Sequence, residues 1–179
     1  MSEITIIAAI AADGAIGYQG RLIYRLSADL KHFRSLTTGH TVLMGRRTFE
    51  SLPNGALPHR RNIVISRRPG ASFAGCDTYS SLTEALDHCA ADEHVFIIGG
   101  ASVYREACPL ATGMELTEVH ATPAQADVYF PKLDMRQWTE TARESHPADE
   151  KNEQPFDFVS YRRKTAEEQY LKSATALIR

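Results

Sequence analysis

Four short runs of strand-forming side chains, alternating with helix-like stretches, constrain the fold of this chain more than any other feature. The runs are Glu3–Ala12, opened by Ile4, Ile6, Ile7 and Ile10, then Thr41–Met44, Asn62–Ser66 and His94–Ile98. Near-continuous apolar runs belong to strands buried on both faces, although the alanines of the first leave a helix open there. Between them, Ala28–Leu36 reads as a helix behind Ser27, an expected N-cap. Leu26, Leu30 and Phe33 recur there at i, i+4, i+7. Ser81–Ala91 reads as a second helix, with Leu82, Ala85, Leu86 and Cys89 on one face, and Ala101–Cys108 as a third, stopped by Pro109. This alternation predicts an α/β fold with a central, mainly parallel sheet and helices on both of its faces.

From Gly113 the pattern changes. Met114–His120 alternates apolar and polar, as a strand with one wet face does. Trp138–Ser145 and Phe156–Arg163 flank a polar loop, His146–Pro155, and predict a C-terminal antiparallel hairpin at the sheet edge. Residues 1–164 are expected to form one domain. The tail, 165–179, has Ala166, Tyr170, Leu171, Ala174, Leu177 and Ile178 near helical spacing and is either a short helix or frayed.

The 20 Lys+Arg and 22 Asp+Glu of the 179 residues leave a net charge of −2. Such a balance offers no field for non-specific attachment to nucleic acid or anionic membrane. The longest apolar run, Ile6–Ala12, is far short of the about 20 residues that span a bilayer. Met1-Ser2-Glu3 lacks the basic start of a secretory signal. The expectation is a cytoplasmic monomer whose partners are small molecules, with neither nucleic acid nor membrane among them. Cys76, Cys89 and Cys108 are widely spaced and read as buried, reduced thiols. The His residues form no cluster with Cys, so no metal is expected.

Three places join a strand end to groups that suit phosphate. Ile98-Gly99-Gly100-Ala101-Ser102-Val103-Tyr104 lets backbone approach a ligand closely at a helix start, although a Gly-Gly here also makes an ordinary tight turn. Gly45-Arg46-Arg47-Thr48 and Ser66-Arg67-Arg68 add guanidinium forks, which elsewhere are often merely solvated. Ligands of open α/β sheets collect at the carboxyl ends of strands, where all three clusters fall. The P-loop pattern is absent, and Gly14-Ala15-Ile16-Gly17-Tyr18-Gln19-Gly20 is G-x-x-G-x-x-G, which reads as a mobile glycine loop rather than a Rossmann turn. Asp29 stands in the first turn of an apolar-faced helix. It is either an exposed partner of the helix dipole or a carboxylate held in an apolar cleft.

Together these residues resemble the dihydrofolate reductase family, of the bacterial chromosomal type, over roughly residues 4–163. The matching strings run in family order: Ile-Ala-Ala-Ile-Ala at 7–11, Asp-Gly-Ala-Ile-Gly at 13–17, Leu-Ser-Ala-Asp-Leu-Lys-His-Phe at 26–33 and Met-Gly-Arg-Arg-Thr-Phe-Glu-Ser-Leu at 44–52. They continue with Leu-Pro-His-Arg-Arg-Asn-Ile-Val-Ile-Ser at 57–66, Ile-Gly-Gly-Ala-Ser-Val-Tyr at 98–104, Leu-Thr at 116–117 and Ala-Asp-Val-Tyr-Phe-Pro at 126–131. The resemblance implies hydride transfer from NADPH to 7,8-dihydrofolate, with antifolates as inhibitors. It implies catalytic roles for Asp29, Thr117, Leu22 and Tyr24. Ile7, Ala9, Leu30, Phe33, Leu52, Leu57 and Ile98 would wall in the substrate rings, Arg60 would clamp the glutamate α-carboxylate with Arg34 nearby, and Tyr104 would lie near the nicotinamide. Ala9, Ile16, Gly17, Gly45, Arg46, Arg47, Thr48, Ser66, Arg67 and Gly99 to Tyr104 would hold the cofactor. It also implies a cis Gly99-Gly100 bond and a loop tether from Asp127.

Two departures from the family pattern stand out. Ile23-Tyr24 replaces the usual Pro-Trp in the loop that closes over nicotinamide, and Leu26-Ser27 replaces Leu-Pro. A phenol can donate one hydrogen bond, at a different reach from an indole. The alternatives are the pyrimidine reductase of riboflavin synthesis, which would share the glycines and arginines, and a non-catalytic pterin-binding homologue. Asp29, Phe33 and Thr117 favour the folate enzyme.

Overall fold

The computed structural model describes residues 2–177, with side chains through residue 175. Its elements are β1 (Glu3–Ile10), β2 (Ala15–Gly17), α1 (Ser27–Thr37), β3 (Thr41–Gly45), α2 (Arg46–Ser51), β4 (Arg61–Ile65), β5 (Cys76–Tyr79), α3 (Leu82–Asp87), β6 (His94–Gly99), α4 (Ala101–Ala107), β7 (Gly113–Val119), β8 (Val128–Tyr129), β9 (Trp138–His146), β10 (Phe156–Arg163) and α5 (Ala166–Leu177). Eight strands form one sheet in the order β5-β4-β3-β6-β1-β7-β10-β9, while β2 pairs with β8 in a small second sheet. Pairing is parallel from β5 through β7 and antiparallel for β7–β10 and β10–β9. The mainly parallel sheet with its closing hairpin is therefore as the sequence predicts.

The apolar runs become central strands because both faces are covered. Val42, Leu43 and Met44 are all fully buried, as are Ile63 and Val64, and Val95 and Ile97. On one face α1 and α2 bring Phe33, Leu36 and Phe49 against Val42, Met44, Val64 and Phe96. On the other, α3 and α4 bring Leu82, Ala85, Val103 and Ala107 against Leu43, Ile63, Val95 and Ile97. Each such fully buried side chain contributes about 1.5–3 kcal/mol of transfer free energy. β9 is the exposed edge, and its Glu140, Arg143 and Glu144 discourage further pairing. Among the described residues no helix is long and apolar enough to cross a membrane.

Several expectations need correction. Ser27 is not the N-cap of α1. Leu26 is, in extended conformation and with no capping side chain, so the helix starts one residue early. The capping oxygen is Asn152 Oδ1, from the loop between β9 and β10, which accepts from Ala28 N–H at 2.9 Å. The apolar face of α1 is also divided. Leu26 packs with Val119 and Phe156, Phe33 packs on the central strands, and Leu30 stays 59% exposed. The glycine segment 14–20 is not a free loop, since Ala15–Gly17 forms β2, which pairs with the distant β8. The three cysteines are free but half-buried rather than buried. The helix at 81–91 is shorter than its pattern, ending at Asp87. In the tail Ala166–Leu177 is helical, and Ile178 lies outside the described residues.

Candidate active site

The carboxyl ends of β1, β3, β4 and β6 and the start of α1 bring the predicted polar residues to one side of the sheet. Asp29 is the third residue of α1. Thr117, 3% exposed in β7, donates its hydroxyl to Asp29 Oδ1 at 2.5 Å. Strand pairing on both sides seats that threonine, with Ala9 of β1 and Phe158 of β10 as its partners. Burial raises the Asp29 pKa above the ordinary carboxylate value, opposed by the Thr117 bond and by the nearby His32. Asp29 Oδ2 has no hydrogen-bond partner among the described residues and remains available to a ligand.

Asp29 and Leu30 line a cleft of about 430 Å³ whose other walls include Leu22, Ile23, Tyr24 and Leu26. This explains why Leu30 escapes the core, since it belongs to a wall that a ligand would cover. A second space of about 660 Å³ lies between the same Leu22–Tyr24 segment and Pro123–Gln125. With open volume on both sides, and Leu22 63% exposed, that segment has room to move. Its start is tied down, because Asp127 Oδ2 accepts from Gln19 N–H at 2.9 Å and Asp127 N–H donates to the Gly17 carbonyl at 3.1 Å.

Five of the seven residues expected in the apolar wall come together as one cluster, while Leu30 lies in the cleft wall beside Asp29 and Ala9 pairs with Thr117. Ile7 is buried, and Phe33, Leu52, Leu57 and Ile98 are half-buried against it. At its end Arg60 donates from Nη1 to Thr37 Oγ1 at 3.0 Å and from Nε to the Pro58 carbonyl at 2.9 Å, with its guanidinium 6.0 Å from the Phe33 ring centre. Burial, and then the neighbouring Arg34, lower the Arg60 pKa, so the pair forms a site of positive potential. The residue that shapes this corner escaped the sequence reading. Asn62, 3% exposed, accepts from Leu57 N–H and donates to the Leu57 and Arg60 carbonyls. The available signal was an amide opening an otherwise apolar strand.

Beside this wall β3 and β6 end in glycine. Gly99-Gly100 is a cis peptide, as the resemblance implied, and Gly99 has φ +132°. The pairing of β3 with β6 skips Ile98, a bulge just ahead of that turn. A Cβ on Gly99 would stand 3.2 Å from Thr48 Oγ1, and one on Gly45 would stand 3.3 Å from Val103 Cγ2. The three glycines thus keep open a cradle that side chains would fill. Arg47, Arg67 and Ser102 are exposed, and neither arginine forms an ion pair among the described residues. Arg46, expected at the same phosphate site, pairs with Glu50 at 2.9 Å, one turn along α2, and both side chains stay partly exposed. Ser66 is buried, and its Oγ accepts from Arg68 N–H at 3.3 Å. A glycine cradle flanked by a hydroxyl and two unpaired guanidinium groups fits an anionic dinucleotide.

Tyr104 joins the two halves. Its hydroxyl donates to the Ile7 carbonyl at 2.8 Å and lies 3.5 Å from where a Gly99 Cβ would be. Burial, then the Asp29 charge, hold its phenol well above the usual range. Tyr24, on the segment between the two open spaces, is also shifted up, by burial and by Asp13 and Glu153, so its phenol stays neutral.

A protein-family model described as dihydrofolate reductase matches residues 3–163. The chain is 42% identical over 161 residues to the dihydrofolate reductase of Neisseria gonorrhoeae, covering 90% of this chain and 98% of that one. It is 37% identical over 163 residues to the dihydrofolate reductase of Bacillus subtilis (strain 168), covering 91% and 96%. Among solved structures it is similar to dihydrofolate reductase from Enterococcus faecalis complexed with NADP(H) and RAB-propyl. That likeness has a TM-score of 0.85 and 31% identity, and it covers 91% of this chain and 97% of that one.

Proposed function

The chain belongs to the dihydrofolate reductase family, and from that membership we propose that Asp29, steadied by Thr117, binds and orients the pterin ring of its substrate. The protein is an oxidoreductase that reduces 7,8-dihydrofolate to 5,6,7,8-tetrahydrofolate with NADPH. Bound NADPH supplies the hydride. The protein's part is to bind, orient and charge the surroundings of the reacting ring.

Asp29 accepts from the 2-amino group and the adjacent ring N–H of the pterin. A carboxylate facing two donors makes charge-assisted bonds and admits only one ring orientation. Its negative charge also raises the basicity of the ring, which favours protonation at N5, the proton arriving through water. Thr117 keeps Oδ1 occupied and so directs Oδ2 toward the ligand. Ile7, Leu30, Phe33, Leu52, Leu57 and Ile98 cover the ring faces and exclude water. Arg60, with Arg34, takes the glutamate carboxylate. Gly45, Thr48, Arg47, Ser66, Arg67 and Gly99 to Val103 hold the cofactor backbone and phosphates, while Ala9, Ile16 and Gly17 line its nicotinamide end. Leu22 and Tyr24 close the cleft from above.

The observation that carries this reading is the Asp29–Thr117 bond, with Asp29 in the cleft wall and Phe33, one turn along α1, in the apolar cluster that includes Ile7 and Ile98. The test is Asp29→Asn, followed by NADPH consumption with dihydrofolate. Two charge-assisted bonds at about 1.5–3 kcal/mol each predict a fall in kcat/KM of about 10²- to 10⁴-fold. A folded Asp29→Asn enzyme within a few-fold of the parent would overturn the assignment.

A further inference from the structure

The loop between β9 and β10 takes no part in the chemistry above, yet it supplies acceptors to the helix that carries Asp29. We propose that Asn152 is a positioning residue for the reduction, setting where the Asp29 carboxylate stands relative to Thr117. This rests on the reading of Asp29 as the pterin-binding group.

The first N–H groups of a helix have no partner within it and must find acceptors elsewhere. In α1, Ser27 N–H donates to the Lys151 carbonyl at 3.2 Å and Ala28 N–H to Asn152 Oδ1 at 2.9 Å. Asp29 and Leu30 N–H both return to the Leu26 carbonyl, at 3.1 and 3.3 Å. Half of the helix start is therefore held by a segment 124 positions away at Asn152. The first of these bonds exists because position 27 is serine. The proline usual in the family has no N–H to give.

Asn152 is itself fixed. It is 7% exposed, and its Nδ2 donates to Asp149 Oδ1 at 2.9 Å. That same oxygen accepts from the N–H groups of Lys151 and Asn152, both at 2.8 Å. With the NH₂ spent on a carboxylate, the amide oxygen is the atom turned toward Ala28. The backbones of Leu26 and Asn152 also form an antiparallel bridge.

The same segment runs on into β10, where Phe158 lies opposite Thr117. Residues 152–158 thus hold the start of the helix that bears the carboxylate at one end and the neighbour of the strand that bears the hydroxyl at the other. The 2.5 Å Thr117–Asp29 bond closes the gap between them. If the cap at Ala28 is released, the first turn of α1 loses its reference and Asp29 moves with it.

The test uses the full chain with Asn152→Ala and with an exchanged pair, Asp149→Asn together with Asn152→Asp. It reads KM and kcat/KM for each substrate and the pH dependence of single-turnover hydride transfer. A displaced carboxylate costs about 10- to 100-fold in kcat/KM for dihydrofolate, because reactant groups an ångström out of place lose rate steeply. Asn152→Ala should show that loss, displace the midpoint of the pH–rate curve and leave KM for NADPH unchanged. The exchanged pair keeps an acceptor for Ala28 N–H and a donor–acceptor brace between positions 149 and 152, without setting two carboxylates against each other, and should recover most of the activity. Should Asn152→Ala fail to fold, Asp149→Ala, which frees the amide of its brace, should show a smaller loss of the same kind. Equal impairment of Asn152→Ala and the exchanged pair would overturn the proposal, as would a lowered melting temperature with parental kinetics and pH midpoint. Asp29→Asn serves as the control. If it is inactive while Asn152→Ala behaves as the parent, the positioning role alone falls. If it is active, the reading of Asp29 falls first.

Discussion

Thr117→Val removes one hydroxyl while keeping the side-chain shape, and it isolates the interaction on which the site is built. Thr117 is 3% exposed and spends its proton on Asp29 Oδ1 at 2.5 Å. Hydrogen bonds to charged groups contribute about 1.5–3 kcal/mol, so the kcat/KM for dihydrofolate should fall by about 10- to 100-fold. The loss should appear in the substrate's KM more than in the cofactor's. Burial already raises the Asp29 pKa and the Thr117 bond pulls it back. Deleting the bond therefore raises it further. The sign for stability follows. At neutral pH the ionised, half-buried carboxylate subtracts from stability, and the Thr117 bond recovers part of that cost. The variant is thus destabilised most above the carboxylate range, and the difference fades as pH falls through that range and Asp29 protonates. Steady-state kinetics, thermal unfolding at several pH values and a double-mutant cycle with Asp29→Asn would measure this. Coupling between the two positions should reach about 1–3 kcal/mol, whereas independent sites add within about 0.3–0.5 kcal/mol. Additive losses, or a Thr117→Val enzyme with parental kinetics and unfolding, would refute the reasoning.

Other positions offer separate checks. Gly99→Ala places a Cβ 3.2 Å from Thr48 Oγ1 at φ +132°. It should cost roughly 1–3 kcal/mol in thermal or denaturant unfolding and raise KM for NADPH. Arg60→Lys replaces a fork by a point charge. It should raise KM for dihydrofolate by about tenfold, the worth of one charge-assisted bond, but leave KM unchanged for a dihydropteroate substrate that lacks the glutamate. Tyr24→Phe deletes the only polar atom of that side chain. A kcat lowered by about tenfold or less, with Tyr24→Trp at or above the parent, would place its hydroxyl in the network over the pterin, and parental kinetics in both variants would remove it.

The central strands were legible because their signal is local. Val42–Met44 and Val95–Ile98 are apolar without a break, and a sheet covered on both faces is the arrangement that buries such runs. The hairpin partner Phe156–Arg163 was equally plain from its flanking polar loop. The short elements were not. α2 (Arg46–Ser51) and β5 (Cys76–Tyr79) carry too few residues for a period to show, and β2 is a strand only because β8 lies beside it. The extent of α1 was read nearly correctly and its cap wrongly, because the sequence offers a serine next to the helix while the fold brings an asparagine from the far hairpin.

The order of chemically distinct residues along the chain is what marks the family, with an acid after the first strand, glycines at the ends of β3 and β6 and arginines after β3 and β4. That order is a property of the polymer and survives without coordinates. Which groups actually meet belongs to the folded state. The pairing of Thr117 with Asp29 spans 88 positions, and the cap at Ala28 spans 124. Propensity and periodicity act over a few residues, while a hydrogen bond needs atoms within about 3 Å of each other. Only the packing of helices onto a twisted sheet, with its register set strand by strand, brings distant residues that close.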